Sequence, residues 1–340
     1  MKRRTFIIPV GLLFLVAAVL GPEPGDARSI KMPNPGIEDE SVKTIRSGVS
    51  SLRVGKPISH DGLTLFPLVP GKNGANGKKI GEIRTMDEAL EAGSLVVRES
   101  GRGVVETLVV ENRGDAPVLL MAGEILVGGK QNRTLRQDVL LPPRSGEVSI
   151  PTYCVEEGRW REKTSKFDSG GTLAHPSLRK EALKAAPQAK IWREVRERSQ
   201  SAGVQSATGD VQAYYGDKKV AQAVEKGAEE IEKRGFPSDA LGVVAVRGAR
   251  VVGVDLFAGP YLFAKLRRKV IKTYLFDDPW KIKPVAGGEK EVEGLLKLLA
   301  DKAWESVPSP GVGRLFRMEG NSAGTALVYR AGVVHLAVLP

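Results

Sequence analysis

The chain has little of what cross-linked or nucleic-acid-binding proteins use. Its 340 residues include one cysteine, Cys154, three histidines and only 6% aromatic residues. A lone cysteine excludes an intramolecular disulfide and the zinc sites that need two cysteines. The basic residues mostly alternate with acidic ones, whereas nucleic-acid binding uses concentrated positive charge interleaved with aromatic rings. We therefore expect an apolar core to stabilise the fold, and no sequence-specific recognition of nucleic acid.

The N-terminal apolar run is too short for a membrane span. It covers the fifteen residues 6–20, whereas a transmembrane helix needs about 20. Basic residues precede the run and small residues near Ala27 follow it, as in a signal peptide. We predict a signal peptide over residues 1–28, with export to the periplasm or the cell exterior. The twin-arginine motif is only partly matched, so the sequence favours the Sec route. An uncleaved N-terminal anchor is the alternative.

Positive charge is in excess. Lys and Arg number 51 against 40 Asp and Glu, and the formal net charge is +11. The predicted signal peptide holds four of these basic and two of the acidic residues, so +9 remains without it. Such a charge favours anionic ligands or surfaces and does not determine a fold.

The pattern along the chain predicts an α+β fold. Residues 29–60 combine Pro, Gly, Ser and charge without a sustained period, which predicts a linker or poorly ordered arm, and a single domain is predicted over residues 61–340. Between residues 95 and 155, strand-like segments alternate with Gly and Pro turns, as in antiparallel hairpins. Helical patterns follow, and short strands close the chain. We expect an antiparallel β core in the N-terminal half with helices packed on it and further strands near the C-terminus.

Three helices have clear sequence signals. Thr85 and Glu88 form a capping box, and Asp217 caps a helix that ends at Gly235. Pro260 opens the third helix, in which an apolar stripe should face a core. Its basic residues are expected to face solvent on the opposite side; they are Lys265, Arg268, Lys269 and Lys272.

Glu124 is a carboxylate inside an otherwise apolar strand segment, in the string GEILVGGKQNR. This string is not a phosphate-binding P-loop, since Glu124 occupies the place of the first glycine and Gln131 that of the hydroxyl residue. A buried carboxylate needs a partner or a raised pKa, and Lys130 or Arg133 could supply the charge. Glu124 is therefore either a catalytic acid or base or half of a structural ion pair. Asp255 repeats the pattern in another apolar strand.

Four polar residues follow the Gly128-Gly129 turn: Lys130, Gln131, Asn132 and Arg133. Glycine lets the backbone approach a ligand closely. The Lys and Arg side chains bring charge, and the Gln and Asn side chains bring paired donors and acceptors. Such a set suits a phosphate, a carboxylate or sugar hydroxyls, although an ordinary exposed loop has the same composition.

The string CVEEGRW is the second concentration of polar residues, at the end of another strand. Cys154 and Glu156 fall on one face of that strand, and Arg159 and Trp160 follow a glycine turn. Glu156 is a second candidate acid or base, and Arg159 and Trp160 are candidate ligand contacts. Cys154 could act as a nucleophile if a base such as His335 lay beside it; the alternative is a small buried hydrophobic residue. A Glu, Cys and His metal site is conceivable from the ligand types, but no spacing motif supports it, and no metal or cofactor is predicted.

Four strings, GEILVGGKQNR, IPTYCVEEGRW, KIWREV and GVVAVRGARVVGVDLF, occur in an order that resembles the ARG and rhodanese-phosphatase-superfamily-associated protein domain. The resemblance extends from Leu63 to the C-terminus. PTYC stands where the family pattern has Pro-Val-Ser-Cys. The matched positions of the family pattern are Glu124, Lys130, Gln131, Asn132, Arg133, Cys154, Glu156, Arg159, Trp160, Asp255 and Phe257.

The family's link to ADP-ribosylglycohydrolase and rhodanese-phosphatase partners implies nucleotide-derived or phosphorylated ligands, although an export signal does not suit an intracellular ADP-ribose role. We expect the chain to bind or process an anionic ligand that is nucleotide-derived, phosphorylated or sugar-containing. Whether it does so as an enzyme or as a binding module stays open. The alternative is a non-catalytic structural or interaction module in which the motif residues form internal salt bridges.

Overall fold

A computed structural model describes residues 39–71, 80–101, 106–277, 288–318 and 320–340. The predicted signal peptide and the first part of the predicted arm lie outside these residues. Residues 38–340 form one compact unit. In the described part of the chain, every helix is too short or too polar to cross a membrane.

Eight helices are present in the described residues. They are α1 (Glu40–Ser50), α2 (Met86–Glu91), α3 (Pro176–Leu183), α4 (Gln188–Ser201), α5 (Val211–Tyr215), α6 (Lys218–Lys233), α7 (Pro260–Leu275) and α8 (Glu289–Asp301).

The strands fall into an N-terminal and a C-terminal group. The N-terminal strands are β1 (Leu52–Val54), β2 (Ile58–His60), β3 (Leu63–Pro70), β4 (Arg84–Thr85), β5 (Leu95–Glu99), β6 (Thr107–Asn112), β7 (Val118–Leu120), β8 (Glu124–Gly128), β9 (Arg133–Leu135), β10 (Val139–Leu141), β11 (Glu147–Cys154) and β12 (Phe167–Leu173). The C-terminal strands are β13 (Gly242–Arg247), β14 (Arg250–Phe257), β15 (Trp304–Val307), β16 (Arg314–Met318), β17 (Ala323–Tyr329) and β18 (Gly332–Leu339).

These strands form three sheets. The largest has nine strands in the order β1-β3-β13-β14-β18-β17-β16-β15, with β2 also paired to β3. A six-stranded sheet runs β12-β8-β9-β11-β6-β5, and β10-β7-β4 make a small third sheet. The pairings are antiparallel except that of β4 with β7. The α+β fold with an antiparallel β core is therefore confirmed, and N-terminal strands also complete the large C-terminal sheet.

The large sheet is covered on both faces. Alternate residues of β13 enter two different cores: Val243 and Ala245 pack with α6 and α7, whereas Val244 and Val246 pack with α1 and α8. This period of two follows from the pleat of a strand. Strands buried on both faces lose the alternation of apolar and polar residues, which explains the continuous apolar sequence of β13.

Residues 39–60 correct the expectation of a linker or poorly ordered arm. They form α1, β1 and β2, and Val42, Ile45 and Val49 of α1 are buried. Asp39 caps α1 by accepting a hydrogen bond from the Ser41 N–H at 2.9 Å. Three buried residues at helical spacing were too few to stand out from the charge around them, and the packing against α8 was not visible in the sequence.

The helix signals are confirmed. Both bonds of the Thr85 capping box are present at the start of α2, and Asp217 caps α6, whose chain turns away at Gly235 with a φ of 77°. One expectation for α7 is wrong. Lys269 does not face solvent but is 7% exposed, because it has partners inside the protein.

Candidate functional site

The Gly128-Gly129 turn is filled by the protein's own chain. A side chain at Gly129 would meet the Phe167 ring at 2.3 Å and a Glu99 carboxylate oxygen at 2.5 Å. At Gly128 it would meet the Lys166 carbonyl oxygen at 2.6 Å. The glycines therefore permit close approach, as the sequence predicted, but the groups that approach belong to strands β5 and β12 and to the segment before β12.

The strings GEILVGGKQNR and CVEEGRW contact each other in the structure, and a salt bridge joins the second string internally. The Arg159 guanidinium donates from Nε to Glu156 Oε1 at 2.8 Å and lies 2.7 Å from Oε2 through Nη2. Its Nη1 donates to the Gly129 carbonyl at 2.8 Å. Arg159 thus forms a bidentate pair with Glu156 and ties it to the glycine turn. The two side chains are 11% and 5% exposed.

The remaining acceptor capacity of Glu156 is also used. Its Oε1 accepts from the Thr208 hydroxyl at 3.1 Å, and its Oε2 accepts from the Asn132 N–H at 3.2 Å. Burial alone would raise the pKa of Glu156, but the hydrogen bonds from Arg159 and Asn132 outweigh burial and lower it. Glu156 is therefore ionised and surrounded by donors from three different segments.

Gln131 and Asn132 point inward as parts of the same network. Gln131 donates from its carboxamide to the Glu156 carbonyl at 2.7 Å. Asn132 donates to both carboxylate oxygens of Asp210 at 3.1 and 3.0 Å. Both residues are at most 5% exposed. They join the motif strings to the segment that precedes α5.

Arg133 and Lys130 differ in their surroundings. Arg133 is fully buried, donates from Nη1 to the Gln131 carbonyl at 3.0 Å and lies 3.6 Å from Glu99 through Nη2. The Lys130 ammonium lies 5.3 Å from the centre of the Trp160 ring, a cation–π contact. Trp160 is 55% exposed. Of the predicted ligand contacts, Lys130 and Trp160 are thus nearest to solvent.

Glu124 has a partner that the sequence did not suggest. The Lys269 ammonium of α7 lies 2.7 Å from Glu124 and 2.6 Å from Asp87. Glu124 also accepts from the Met121 N–H at 2.9 Å. Burial raises the pKa of Glu124, and the Lys269 charge opposes the rise. The expected partners Lys130 and Arg133 are wrong, because the chain turns at Gly123, with a φ of 90°, and β8 directs the carboxylate towards α7.

Asp255 lies at the centre of a second, fully buried network. Arg179 of α3 forms a fork with it at 3.2 and 2.8 Å, and the Tyr274 hydroxyl donates to it at 2.6 Å. His335 bridges Asp255 at 3.1 Å and Asp138 at 2.7 Å. Burial alone would lower the pKa of His335, but the two carboxylates outweigh burial and raise it to about 9, so the imidazole is charged at neutral pH. Burial would raise the pKa of Asp255, but Arg179 and His335 lower it.

Cys154 has the surroundings of a buried hydrophobic residue. It is 0% exposed, its thiol donates to the Glu156 carbonyl at 3.1 Å, and burial raises its pKa. A reactive thiol needs the opposite environment. The idea of a Cys154–His335 pair is wrong, because both ring nitrogens of His335 already face carboxylates. The catalytic role of Cys154 stays a prediction that this geometry does not support.

The candidate site residues predicted from the sequence do not line the described cavities. Four cavities formed by the described residues have volumes of about 580, 510, 370 and 280 Å³. Glu124, Lys130, Arg133, Glu156 and Arg159 line none of these four. Within the same described ranges, no group of three or more His, Cys, Asp or Glu residues is arranged to hold a metal ion.

Comparison with known proteins identifies the family. A family model described as the ARG and Rhodanese-Phosphatase-superfamily-associated Protein domain, ARPP-1, matches residues 51–339. The chain belongs to the ARPP-1 family. No curated protein and no solved structure matched it. The ARPP-1 match confirms the resemblance drawn from the four strings, and it assigns no ligand or reaction.

Several residues of these ARPP-1 networks were missed in the sequence. Lys269 had a usable signal, because it falls three residues after Leu266 on the apolar stripe of α7. Arg179 likewise falls three and four residues before Ala182 and Leu183, on the buried face of α3. Asp210 and Thr208 lie in a polar segment and had no such signal, since only the fold brings them to Glu156.

Proposed function

We propose that this protein is an exported, non-catalytic binding or interaction module, in which the two motif strings form an internal scaffold. The Arg159–Glu156 fork on the Gly128-Gly129 turn carries this proposal. The chain itself occupies the positions that an anionic ligand would need: Glu156 neutralises the guanidinium, and Phe167 fills the space beside the glycines.

The acid and base candidates support a scaffold more than a reaction. A general base must offer a lone pair to a substrate proton. Both oxygens of Glu156 already accept hydrogen bonds, and Glu124 is fully buried against Lys269. Structural ion-pair networks also perturb pKa values, so the pKa directions alone do not favour catalysis.

Paired kinetic and stability measurements test the proposal. Wild type, Glu124→Gln and Glu156→Gln are compared for hydrolysis of phosphate ester and glycoside panels and for the denaturation midpoint. We expect no turnover by wild type, and a lowered midpoint for Glu156→Gln. Turnover by wild type that Glu124→Gln or Glu156→Gln abolishes at unchanged stability would overturn the proposal in favour of an enzyme.

The surface at Trp160 favours a second candidate function, the binding of an anionic ligand. Trp160 is exposed beside Lys130, and Arg161 and Lys163 in the following segment are exposed as well. An aromatic face flanked by basic side chains suits a nucleotide or a sugar phosphate. Titration with ADP-ribose and glucose 6-phosphate, monitored by tryptophan fluorescence, tests this function. We expect Trp160→Ala to lose binding. Trp192→Phe is the fluorescence control, because Trp192 is only half-buried.

Export is a separate part of the proposal. The N-terminal charge pattern and apolar run support it. Cell fractionation of the full chain with a C-terminal tag, followed by mass measurement of its N-terminus, tests export and cleavage together. We expect a periplasmic or extracellular product that begins near residue 28. A cytoplasmic product of full length would contradict export.

A further inference from the structure

One cavity adjoins the motif network without including the paired motif charges. It lies between α4 and residues 204–209, beside Glu157 and Gly158, and has a volume of about 510 Å³. Pockets for small molecules span roughly 300–1,000 Å³. Its size is therefore that of a small-molecule site, and Glu157 and Gly158 of the string CVEEGRW line it, whereas Glu156 and Arg159 do not.

The motif network holds one wall of this cavity in place. The Gly158 N–H donates to the Thr208 carbonyl at 2.7 Å, and the Thr208 hydroxyl donates to Glu156 at 3.1 Å. At the end of the same wall, Asn132 binds the Asp210 carboxylate. Residues 204–210 have no helix or strand of their own, so these bonds fix their path. The internal scaffold therefore also holds one wall of this cavity in position.

The cavity lining is polar and nearly neutral. Its two charged residues, Arg196 and Glu157, pair with each other at 2.5 Å. Ser199, Gln200 and Gln205 supply a hydroxyl and two carboxamides. Gln200 and Gln205 are both exposed, so their carboxamides are accessible to a ligand in the cavity. Carboxamides offer donors and acceptors together, which matches hydroxyl groups that also act as both.

Apolar side chains complete the lining. Val195 of α4 is buried at the base of the cavity, and Val204 and Ala207 contribute methyl groups from the opposite segment. Alternation of apolar and amide surface suits a ring that carries hydroxyls on its edge and C–H groups on its faces. A phosphate would have to displace Glu157 from Arg196 and would then lie beside an unpaired carboxylate.

We propose that the cavity between α4 and residues 204–209 binds a neutral polyhydroxylated ligand of the sugar class. Gln200 and Gln205 bind its hydroxyl groups, and Val195 and Val204 contact its C–H faces. This inference rests on the proposed function, since it names the ligand class of the binding module that the scaffold supports.

Calorimetric titration tests the proposal. Glucose, N-acetylglucosamine, maltose and trehalose are titrated against the wild-type protein up to about 10 mM, the concentration range of millimolar affinity. Glucose 6-phosphate and inorganic phosphate form the anionic arm. We expect at least one neutral sugar to bind, and the phosphates to bind more weakly or not at all. Absence of binding by all four neutral sugars, or binding by the anionic arm alone, overturns the proposal.

Two blocking variants locate the site. Gln200→Trp fills the cavity from α4, and Ala207→Trp fills it from the opposite segment. Ser201→Trp is the matched control, because Ser201 is exposed on the same helix and does not line the cavity. We expect each blocking variant to weaken sugar binding at least tenfold at an unchanged denaturation midpoint, and the control to bind as wild type does. Sugar binding that survives both blocking variants places the ligand elsewhere and overturns the proposal.

The outcomes separate this inference from the proposed function. If Glu156→Gln lowers the denaturation midpoint and no reaction is detected, but the sugars do not bind, only the ligand class and its cavity are wrong. If wild type hydrolyses a glycoside or phosphate ester and Glu156→Gln does not, the scaffold itself is wrong.

Discussion

Replacement of Arg159 by leucine tests the scaffold at its centre. The change removes the guanidinium that forms the fork with Glu156 and that donates to the Gly129 carbonyl. Glu156 would keep the Asn132 N–H and the Thr208 hydroxyl but would lose the charge that balances it. Removal of one partner of a buried ion pair costs about 3–5 kcal/mol, because the other charge stays buried without compensation.

The small exposure of this pair, 11% and 5%, places the expected loss near the lower end of that range, at about 3 kcal/mol. The entropy of unfolding is roughly 2.1 cal/mol/K per residue, or about 0.6 kcal/mol/K for a unit of this size, so a decrease in melting temperature of roughly 5 °C is expected. Arg159→Lys keeps the charge but not the planar fork. We expect it to lose about 1.5 kcal/mol, the lower end of the range for hydrogen bonds to charged groups.

Urea denaturation monitored by tryptophan fluorescence gives the free energy of unfolding for each variant. Arg161→Leu is the matched control, because Arg161 is exposed two residues further along, and surface substitutions usually stay within about 0.5 kcal/mol. Amide hydrogen exchange adds a local readout, since the Gly158 N–H is bonded to Thr208 and should lose protection in Arg159→Leu. A loss below about 1 kcal/mol, as for surface ion pairs, would refute the reasoning.

Three further predictions concern burial and charge. Gly129→Ala should lower the free energy of unfolding in urea by about 2–4 kcal/mol, because alanine there is strained in the left-handed region and overlaps Phe167. Gly146 has a φ of 63° and open space around it, so Gly146→Ala should cost only about 1 kcal/mol. Equal losses in the two variants would contradict the packing at Gly129. The pKa of His335 is raised to about 9 in the folded state. Its charged form should therefore contribute about 3 kcal/mol to the free energy of unfolding below pH 6.5, and this contribution should disappear as the pH rises through 9. If the stability of His335→Gln falls as much between these pH values as that of wild type, the prediction is wrong. Cys154 should react with a thiol reagent only as fast as the protein unfolds, and rapid labelling of the native protein would show an accessible thiol.

Elements specified by neighbouring residues were predictable from the sequence. The capping box of Thr85, the cap of α6 at Asp217 and the end of that helix at Gly235 are all present. Each depends on bonds between residues at most four positions apart or on a backbone conformation that glycine favours.

The partners of buried charges were not predictable in the same way. Glu124 pairs with Lys269, which is 145 positions away, and Asp255 pairs with Arg179 at a separation of 76 positions. The sequence indicates that a carboxylate in an apolar strand needs a partner, but the identity of that partner depends on which helix crosses the strand. The basic residues of α7 were assigned to solvent because charged residues usually lie there. For Lys269, the spacing of three residues after Leu266 contained the contrary information.

The two motif strings illustrate why a ligand site and a scaffold look alike in a sequence. A site for an anion needs glycine for close approach, an arginine fork and carboxamides that orient the ligand. A carboxylate of the protein's own chain needs the same groups around it. Glu156 binds Arg159 as a ligand carboxylate would. Only the folded structure distinguishes a ligand site from a scaffold here, because it places the Phe167 ring in the space beside Gly129. A ligand of this protein is therefore better sought in the cavity beside the exposed Gln200 and Gln205 than where the motif residues have already paired with one another.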